Sequence, residues 1–295
     1  MHPLFSGYGD RPSTLLLRSS GSGRALDVSY FTRRGRAPTR VQCSKASSDS
    51  KEEQQQPLYA DAVWPGSLVL AEYLASALED QINRGSSSNS RSLEGSRAVS
   101  VLEMGAGEAA LPSLVAIKVL ADSDFKVVIT DFPKESIFDN ISDVLNANSM
   151  NHNTIGIISS DDDNNKGLDS APVVVTRLEW GNRADEERVM RVNSGLQFDI
   201  ILQAECLWAD TYCLHRKLLQ STRALLKSTG SAFVSYADRD AAAFSAVERN
   251  AEFFKTARDE FGLESQLILT SCQYCDNDDS SQVRIEVKLV RMWMM

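Results

Sequence analysis

The stretch Val99-Ser-Val-Leu-Glu-Met-Gly-Ala-Gly-Glu-Ala-Ala-Leu-Pro-Ser-Leu114 constrains this chain more than any other. An apolar run passes through one acidic residue, Glu103, into a Gly-x-Gly turn at Gly105 and Gly107, and then straight into an apolar helical segment. Glycine lets the backbone turn through left-handed conformations and lets a ligand approach closely, while the unpaired N–H groups of the next helix point at the same place. The segment predicts a strand–turn–helix unit of an α/β protein, with a ligand pocket at the turn.

The next apolar run, Phe125-Lys-Val-Val-Ile-Thr-Asp131, is β-branched and ends in a carboxylate about 20 residues on, where a ribose diol would be held. No Gly-Lys-Ser/Thr follows Gly107, so a phosphate-binding P-loop is excluded. A third small residue would fall at Ala110 in a dinucleotide site and at Ala109 in an S-adenosylmethionine site. Both positions hold alanine, so the glycines alone do not choose. Charge does. A carboxylate at Glu103 would repel a pyrophosphate but suits the cationic methionine end of S-adenosylmethionine.

The remaining pattern alternates. A helix is expected from Ser67, with Ser67 as its N-cap and Leu70, Leu74, Ala77 and Leu78 on one face. After a Ser/Asn/Gly loop over 85–96 come, in turn, strand 99–103, helix 112–120, strand 126–130, helix 135–150, strand 173–178, strand 198–204, helix 215–226 and strand 231–236. A helix over 240–261 and two consecutive strands, 266–271 and 283–293, follow. Alternation of this kind gives a doubly wound parallel sheet. The terminal strand pair implies an antiparallel hairpin, foreign to a plain dinucleotide fold. Two polar insertions, around Asp161-Asp-Asp-Asn-Asn165 and from Arg183 to Gly195, are expected to be surface loops.

Seven blocks occur in order: Val63-Trp-Pro-Gly66, Leu102-Glu-Met-Gly-Ala-Gly107, Leu111-Pro112, Ile129-Thr-Asp-Phe-Pro133, Leu178-Glu-Trp-Gly181, Phe198-Asp-Ile-Ile-Leu-Gln-Ala-Glu205 and Ser235-Tyr-Ala-Asp-Arg239. Together they resemble methyltransferase family 16, and within it the nicotinamide N-methyltransferase-like branch, whose better-understood members methylate lysines and N-termini of proteins such as elongation factor one-alpha. The resemblance spans about residues 58–293. It implies a seven-stranded Rossmann-like class I methyltransferase sheet, mostly parallel with the C-terminal antiparallel hairpin, and S-adenosylmethionine as cofactor.

Ligands of open α/β sheets lie beyond the carboxyl ends of the strands. The expected cofactor-side residues are therefore Glu103, Gly105, Ala106, Gly107, Asp131, Phe132 and Ala204, with Trp180 as an apolar face for adenine and Trp64 closing the other side. On the acceptor side, Glu205-Cys-Leu-Trp208 resembles the family's Asp-x-x-Tyr, so Glu205 and Trp208 are the expected catalytic pair. A carboxylate and a ring suit an amine that must be gripped as a cation and attack as a neutral nucleophile. Glutamate lengthens the carboxylate by a methylene and tryptophan removes the hydroxyl, which leaves the acceptor open. Glu205 also reads as a charge complementing a helix N-terminus. The Asn/Asp-Pro-Pro-Tyr signature of adenine and glutamine methyltransferases is absent; Gln203-Ala-Glu-Cys206 stands there.

The formal net charge is −9, unevenly spread: the first 50 residues hold eight basic side chains against three acidic ones, so the remainder carries −14. Such a domain is a poor polyanion binder and attracts basic partners. The expected partner is a basic protein, a translation factor among the candidates, with no nucleic acid and no membrane, and a monomer is the expected state. Nothing approaches 18 uninterrupted apolar residues. Residues 1–57 are rich in Ser, Arg and Gly and read as a disordered tail, or as a transit peptide to a plastid or mitochondrion. Without the latter, the cytoplasm is expected. The five cysteines do not suggest a disulfide framework, and Cys272-Gln-Tyr-Cys275 lacks the second pair of a metal site. The readings that remain beside protein methylation are a small-molecule N-methyltransferase of nicotinamide type and a non-catalytic interaction module.

Overall fold

The computed structural model describes residues 13–18, 25–30, 39–42, 55–58, 63–85, 98–148, 155–158, 171–209, 211–237, 244–276 and 282–295. Its centre is an eight-stranded sheet. Four of the strands are predominantly apolar runs, Val99–Met104, Phe125–Asp131, Val173–Arg177 and Phe198–Ala204, and a fifth, Leu226–Ala237, is buried from Gly230 on. Parallel strands covered by helices on both faces need that composition. In chain order the elements are β1 (Ser13–Arg18), β2 (Ala25–Tyr30), β3 (Thr39–Gln42), β4 (Gln55–Leu58), α1 (Pro65–Gly85), β5 (Val99–Met104), α2 (Leu111–Leu120), β6 (Phe125–Asp131), α3 (Glu135–Ala147), β7 (Ile155–Ile158), β8 (Val173–Arg177), α4 (Arg183–Val192), β9 (Phe198–Ala204), α5 (His215–Leu225), β10 (Leu226–Ala237), α6 (Phe244–Phe261), β11 (Leu263–Asp276) and β12 (Gln282–Met294).

Side chains alternate between the two faces with the strand period of two. Val101, Val127, Ile129, Val173, Val175, Ile200, Leu202 and Phe233 join the apolar side chains of α1, α2 and α3 in one buried layer. Leu102, Val128, Val174, Ile201, Ala232 and Val234 join those of α4, α5 and α6 in the other. The sheet order is β11-β12-β10-β9-β5-β6-β8-β7, and only β12 runs against its neighbours. From β5 the chain moves outward through β6 to β8; from β9 it moves the other way through β10. The reversal between β5 and β9 opens a crevice at their carboxyl ends, the place where such sheets bind ligands.

The α/β architecture, the mostly parallel sheet and the C-terminal hairpin match the sequence reading, and four details differ. An eighth strand, β7, pairs parallel with β8 at the sheet edge, in a stretch too short to show a period. Arg183–Val192 is a helix, not a loop: Asn182 accepts from the N–H groups of Ala184 and Asp185 at 3.0 and 3.3 Å as a side-chain cap, and Val189 and Val192 reach the core. Within the expected tail, β1 and β2 pair antiparallel, and Leu26 and Val28 are buried with side chains of α1, α2 and α3; β3 and β4 form a second pair. The basic composition around these residues hides the Leu-x-Val alternation that buries them. Lastly, Cys213 is disulfide-bonded, where the sequence suggested no disulfide framework, whereas Cys206 and Cys272 are free. Arg284 donates to the Cys272 Sγ from across the hairpin, at 3.2 Å from Nε and 2.8 Å from Nη2. No described helix is long and apolar enough to cross a membrane.

Because Leu26 is only 3% exposed, Leu26→Ala leaves a cavity where β2 meets the helical layer and is expected to cost about 2 kcal/mol in a urea unfolding experiment. Unchanged stability would detach the hairpin from the core.

Candidate active site

Three left-handed residues within six positions turn the chain from β5 into α2: Gly105 (φ 72°), Gly107 (φ 61°) and Ala110 (φ 42°). Ala110 adopts a conformation that suits glycine, at a cost of roughly 1 kcal/mol. The turn is tied down by two hydrogen bonds, from the N–H groups of Gly105 and Ala106 to the Thr130 carbonyl, both 3.0 Å. Ala110 caps α2 without any side-chain hydrogen bond. Glu103 supplies the missing acceptor from the strand: its Oε2 accepts from the Ser113 N–H at 3.0 Å, in the first turn of the helix. The other oxygen, Oε1, is buried and has no hydrogen-bond partner. Burial pushes the Glu103 carboxyl up to about 8, although the hydrogen bonds from Ser113 pull the other way; the nearby Asp131 adds to the rise.

Asp131 ends β6 with both oxygens on backbone donors. Oδ2 accepts from the Gly107 N–H and Oδ1 from the Phe132 N–H, each at 2.7 Å, so one carboxylate clips the glycine turn to the start of the next connection. Burial raises Asp131 to about 6, opposed by those two bonds and by Lys134.

Trp180 follows β8 in a segment pinned on both sides. Leu178 donates its N–H to the Asp131 carbonyl at 2.9 Å. The Gly181 N–H donates to Ser221 Oγ at 2.7 Å, and Ser221 donates on to Glu186 at 2.6 Å. The Glu179 N–H donates to Asp185 Oδ2 at 3.0 Å, and Arg188 pairs with the same carboxylate. The half-buried indole lies over the glycine turn, where a Cβ built on Gly105 would stand 3.1 Å from Trp180 Cζ2 and 3.1 Å from Cys206 Sγ. A side chain at 105 would fill the space between them.

At the end of β9, Ala204 is buried and Glu205 takes a left-handed φ of 55°. The Glu205 N–H donates to the Ser235 carbonyl on β10 at 2.7 Å, and its Oε1 accepts from the Gly66 N–H at 2.8 Å in the first turn of α1. Cys206 points its thiol at the Met104 carbonyl, 3.3 Å away. Thr211 organises the loop beyond, donating to the Cys206 carbonyl at 2.8 Å and accepting from the Trp208 N–H at 2.9 Å. The Trp208 ring meets Trp64 edge-on, with centroids 4.6 Å apart and planes at 66°.

The expected site residues thus fall into two adjoining groups. Glu103, Gly105, Ala106, Gly107, Asp131, Phe132 and Trp180 gather round the glycine turn; Ala204 leads into Glu205 and Trp208 next to it. Trp64, which the sequence reading puts opposite Trp180 across an adenine, packs edge-on against Trp208. Sequence reasoning passes over Gly66, Ser113, Cys206 and the α4 carboxylates. Pro-Gly at a helix start and the Asn182 cap are the available signals; the contact of Gly66 with Glu205 spans 139 positions and has none. Chemically, two buried carboxylates beside a bare glycine turn offer a cradle for a cation, and a third carboxylate with two indoles sits at its edge.

The profile of the lysine methyltransferase family matches residues 45–260. The protein N-terminal and lysine N-methyltransferase EFM7 of Kluyveromyces lactis is 27% identical over 244 residues, covering 81% of this chain and 78% of that protein. Its counterpart in Eremothecium gossypii is 29% identical over 235 residues, covering 78% and 74%. Among solved structures, a precorrin-6y C5,15-methyltransferase from Geobacter metallireducens superposes with a TM-score of 0.41 at 11% identity, over 69% of this chain and 83% of that one. With the family profile matching well over half of its length, the chain belongs to the lysine methyltransferase family.

Proposed function

We propose that the protein transfers a methyl group from S-adenosylmethionine to an amine of a basic protein, a lysine side chain or an N-terminal amine, with Glu205 and Trp208 on the acceptor side. The observation that carries this reading is the juxtaposition at one crevice of a carboxylate-lined glycine turn and a separate carboxylate–indole group. The relatives named for methylating protein N-termini and lysines support it, as does the acidity of the chain beyond its first 50 residues. A translation factor is the partner class that the resemblance suggests.

The residues fit S-adenosylmethionine. The orphaned Glu103 Oε1 is a buried acceptor for a cationic methionine end, the bare Gly105 α-carbon lets Trp180 and Cys206 close directly over the turn, and Asp131 has lone pairs left for ribose hydroxyls. Bound there, the cofactor supplies an electrophilic methyl on a sulfonium. The protein's share is positional. Glu205 accepts a hydrogen bond from the incoming amine and so aims its lone pair, while the indoles of Trp208 and Trp64 offer π faces to the ammonium form and keep water away. The Glu205 carboxylate would take the proton that the methylated amine sheds and pass it to solvent.

Three outcomes follow. Asp131→Ala removes charge-assisted hydrogen bonds worth about 1.5 to 3 kcal/mol, so S-adenosylmethionine should bind roughly 10- to 150-fold more weakly by calorimetry; undiminished affinity in a folded variant would end the ribose assignment.

For Glu103 the sign is set by its raised carboxyl. A group at about 8 is mostly protonated at pH 7, and a bound cation favours its ionised form. Binding should release a proton near neutrality, and affinity should climb as pH rises toward 8 and then level off. Calorimetry at pH 7 in two buffers of different ionisation enthalpy reads the proton directly. Glu103→Gln should abolish the release, and a wild-type protein that releases none contradicts the assignment.

Finally, tritiated S-adenosylmethionine incubated with the protein and a soluble cell extract should label a basic protein. Glu205→Ala and Trp208→Ala should each lower that labelling on the order of a hundredfold while cofactor affinity stays within a few fold. Labelling should also weaken between about 0.05 and 0.5 M salt as the Debye length shortens. Label confined to small molecules, or indifferent to both substitutions, rejects the protein-acceptor reading.

A further inference from the structure

We propose that Gly66 is a positioning residue for the acceptor-side carboxylate: its N–H and its missing side chain together determine where Glu205 stands. This rests on the reading of Glu205 given above. Gly66 is the second residue of α1, whose first residue is Pro65. A glycine in that place needs a reason, since alanine is the better helix former. Backbone conformation does not supply one, because Gly66 is not among the residues with positive φ. Space does. A Cβ on Gly66 would lie 2.7 Å from Glu205 Cγ, 2.7 Å from Oε1 and 2.9 Å from Cδ. All three atoms belong to the functional end of that side chain, so any substituent at 66 moves the carboxylate itself.

The backbone of Glu205 is poorly placed to yield. It is held at φ 55° and its N–H is committed to the Ser235 carbonyl at 2.7 Å. The side chain must therefore swing, giving up the 2.8 Å hydrogen bond from the Gly66 N–H. The same tetrapeptide fixes the ring beside it. Pro65 sets its own φ, the Trp64 carbonyl accepts from the Ser67 N–H at 2.9 Å, and the Trp64 indole rests on Trp208. Val63-Trp-Pro-Gly66 thereby aligns both members of the acceptor pair from a helix start 139 positions away.

The test is a double-mutant cycle in the full-length protein, scored by tritium transfer into the protein band that the wild type labels in soluble extract, by calorimetric S-adenosylmethionine affinity and by melting temperature. Gly66→Ala should keep cofactor affinity within about threefold yet cut transfer at least about tenfold. Placed in a Glu205→Ala background it should cost nothing further, because the atoms it displaces are gone. Combined with Glu205→Asp, which shortens the side chain, it should transfer faster than Gly66→Ala alone. Wild-type transfer by Gly66→Ala, or an equal loss whether or not Glu205→Ala is also present, overturns the proposal. So does a melting point lowered by more than about 10 °C in both backgrounds, which would make Gly66 a packing residue. A Glu205→Ala protein with full transfer, or a wild type that labels no protein, instead removes the acceptor reading on which the proposal stands.

Discussion

Everything at the mouth of this sheet depends on how carboxylates at strand ends are satisfied by backbone N–H groups. Glu103 takes Ser113 at the start of α2, Asp131 takes Gly107 and Phe132, and Glu205 takes Gly66 at the start of α1; on helix α4, Asp185 takes Glu179 beside Trp180. Each such bond to a charged acceptor contributes about 1.5 to 3 kcal/mol, whereas burying a carboxylate costs several kcal/mol. At Glu103 the single backbone donor does not cover that cost, and the raised carboxyl records the shortfall. Here the protein leaves electrostatic demand that a cationic ligand can meet. The helix starts α1 and α2 serve the same end, since their first-turn N–H groups, which lack intrahelical partners, keep acids in a crevice that would otherwise expel them.

Charge logic also separates the two halves of the crevice. Around the glycine turn the acids are deep, and Glu103 is 1% exposed. At the edge beside Glu205, Trp208 is half-buried and lies against Trp64, so the aromatic wall adjoins solvent. The α4 carboxylates hold Trp180 between these halves by gripping the main chain on either side of it, through Glu179 directly and Gly181 by way of Ser221.

The sequence disclosed what local pattern can disclose. Strands covered on both faces read as apolar runs, Gly105 and Gly107 read as a turn, and Asp131 stands at the end of its strand because the strand's composition stops there. Pattern failed where the cause was remote or faint. Four residues, Ile155–Ile158, are too few to show a period at a sheet edge. Arg183–Val192 is charged on most of its surface, and only its cap and two valines betray the packing. Leu26 and Val28 sit in an arginine-rich stretch whose composition argues for disorder, yet two alternate side chains suffice to seat a strand on the helices. The partner of Glu205 lies 139 positions away, so local pattern offers only the general role of a helix-start charge, with no helix attached to it.

The placement of β12 has a consequence for how such a chain is made. This strand is the last described in the chain, yet it lies inside the sheet, paired with β10 on one side and β11 on the other. While the polypeptide is being synthesised, β10 therefore waits with an apolar edge unpaired, and β11 has no neighbour at all until β12 has left the ribosome. The part of the sheet built from β5, β6, β8 and β9 needs no strand later than β9 and can assemble early. Nascent protein is thus expected to pass through a stage with one half folded and an open strand edge on the other, the interval in which unwanted pairing with other chains is most favourable.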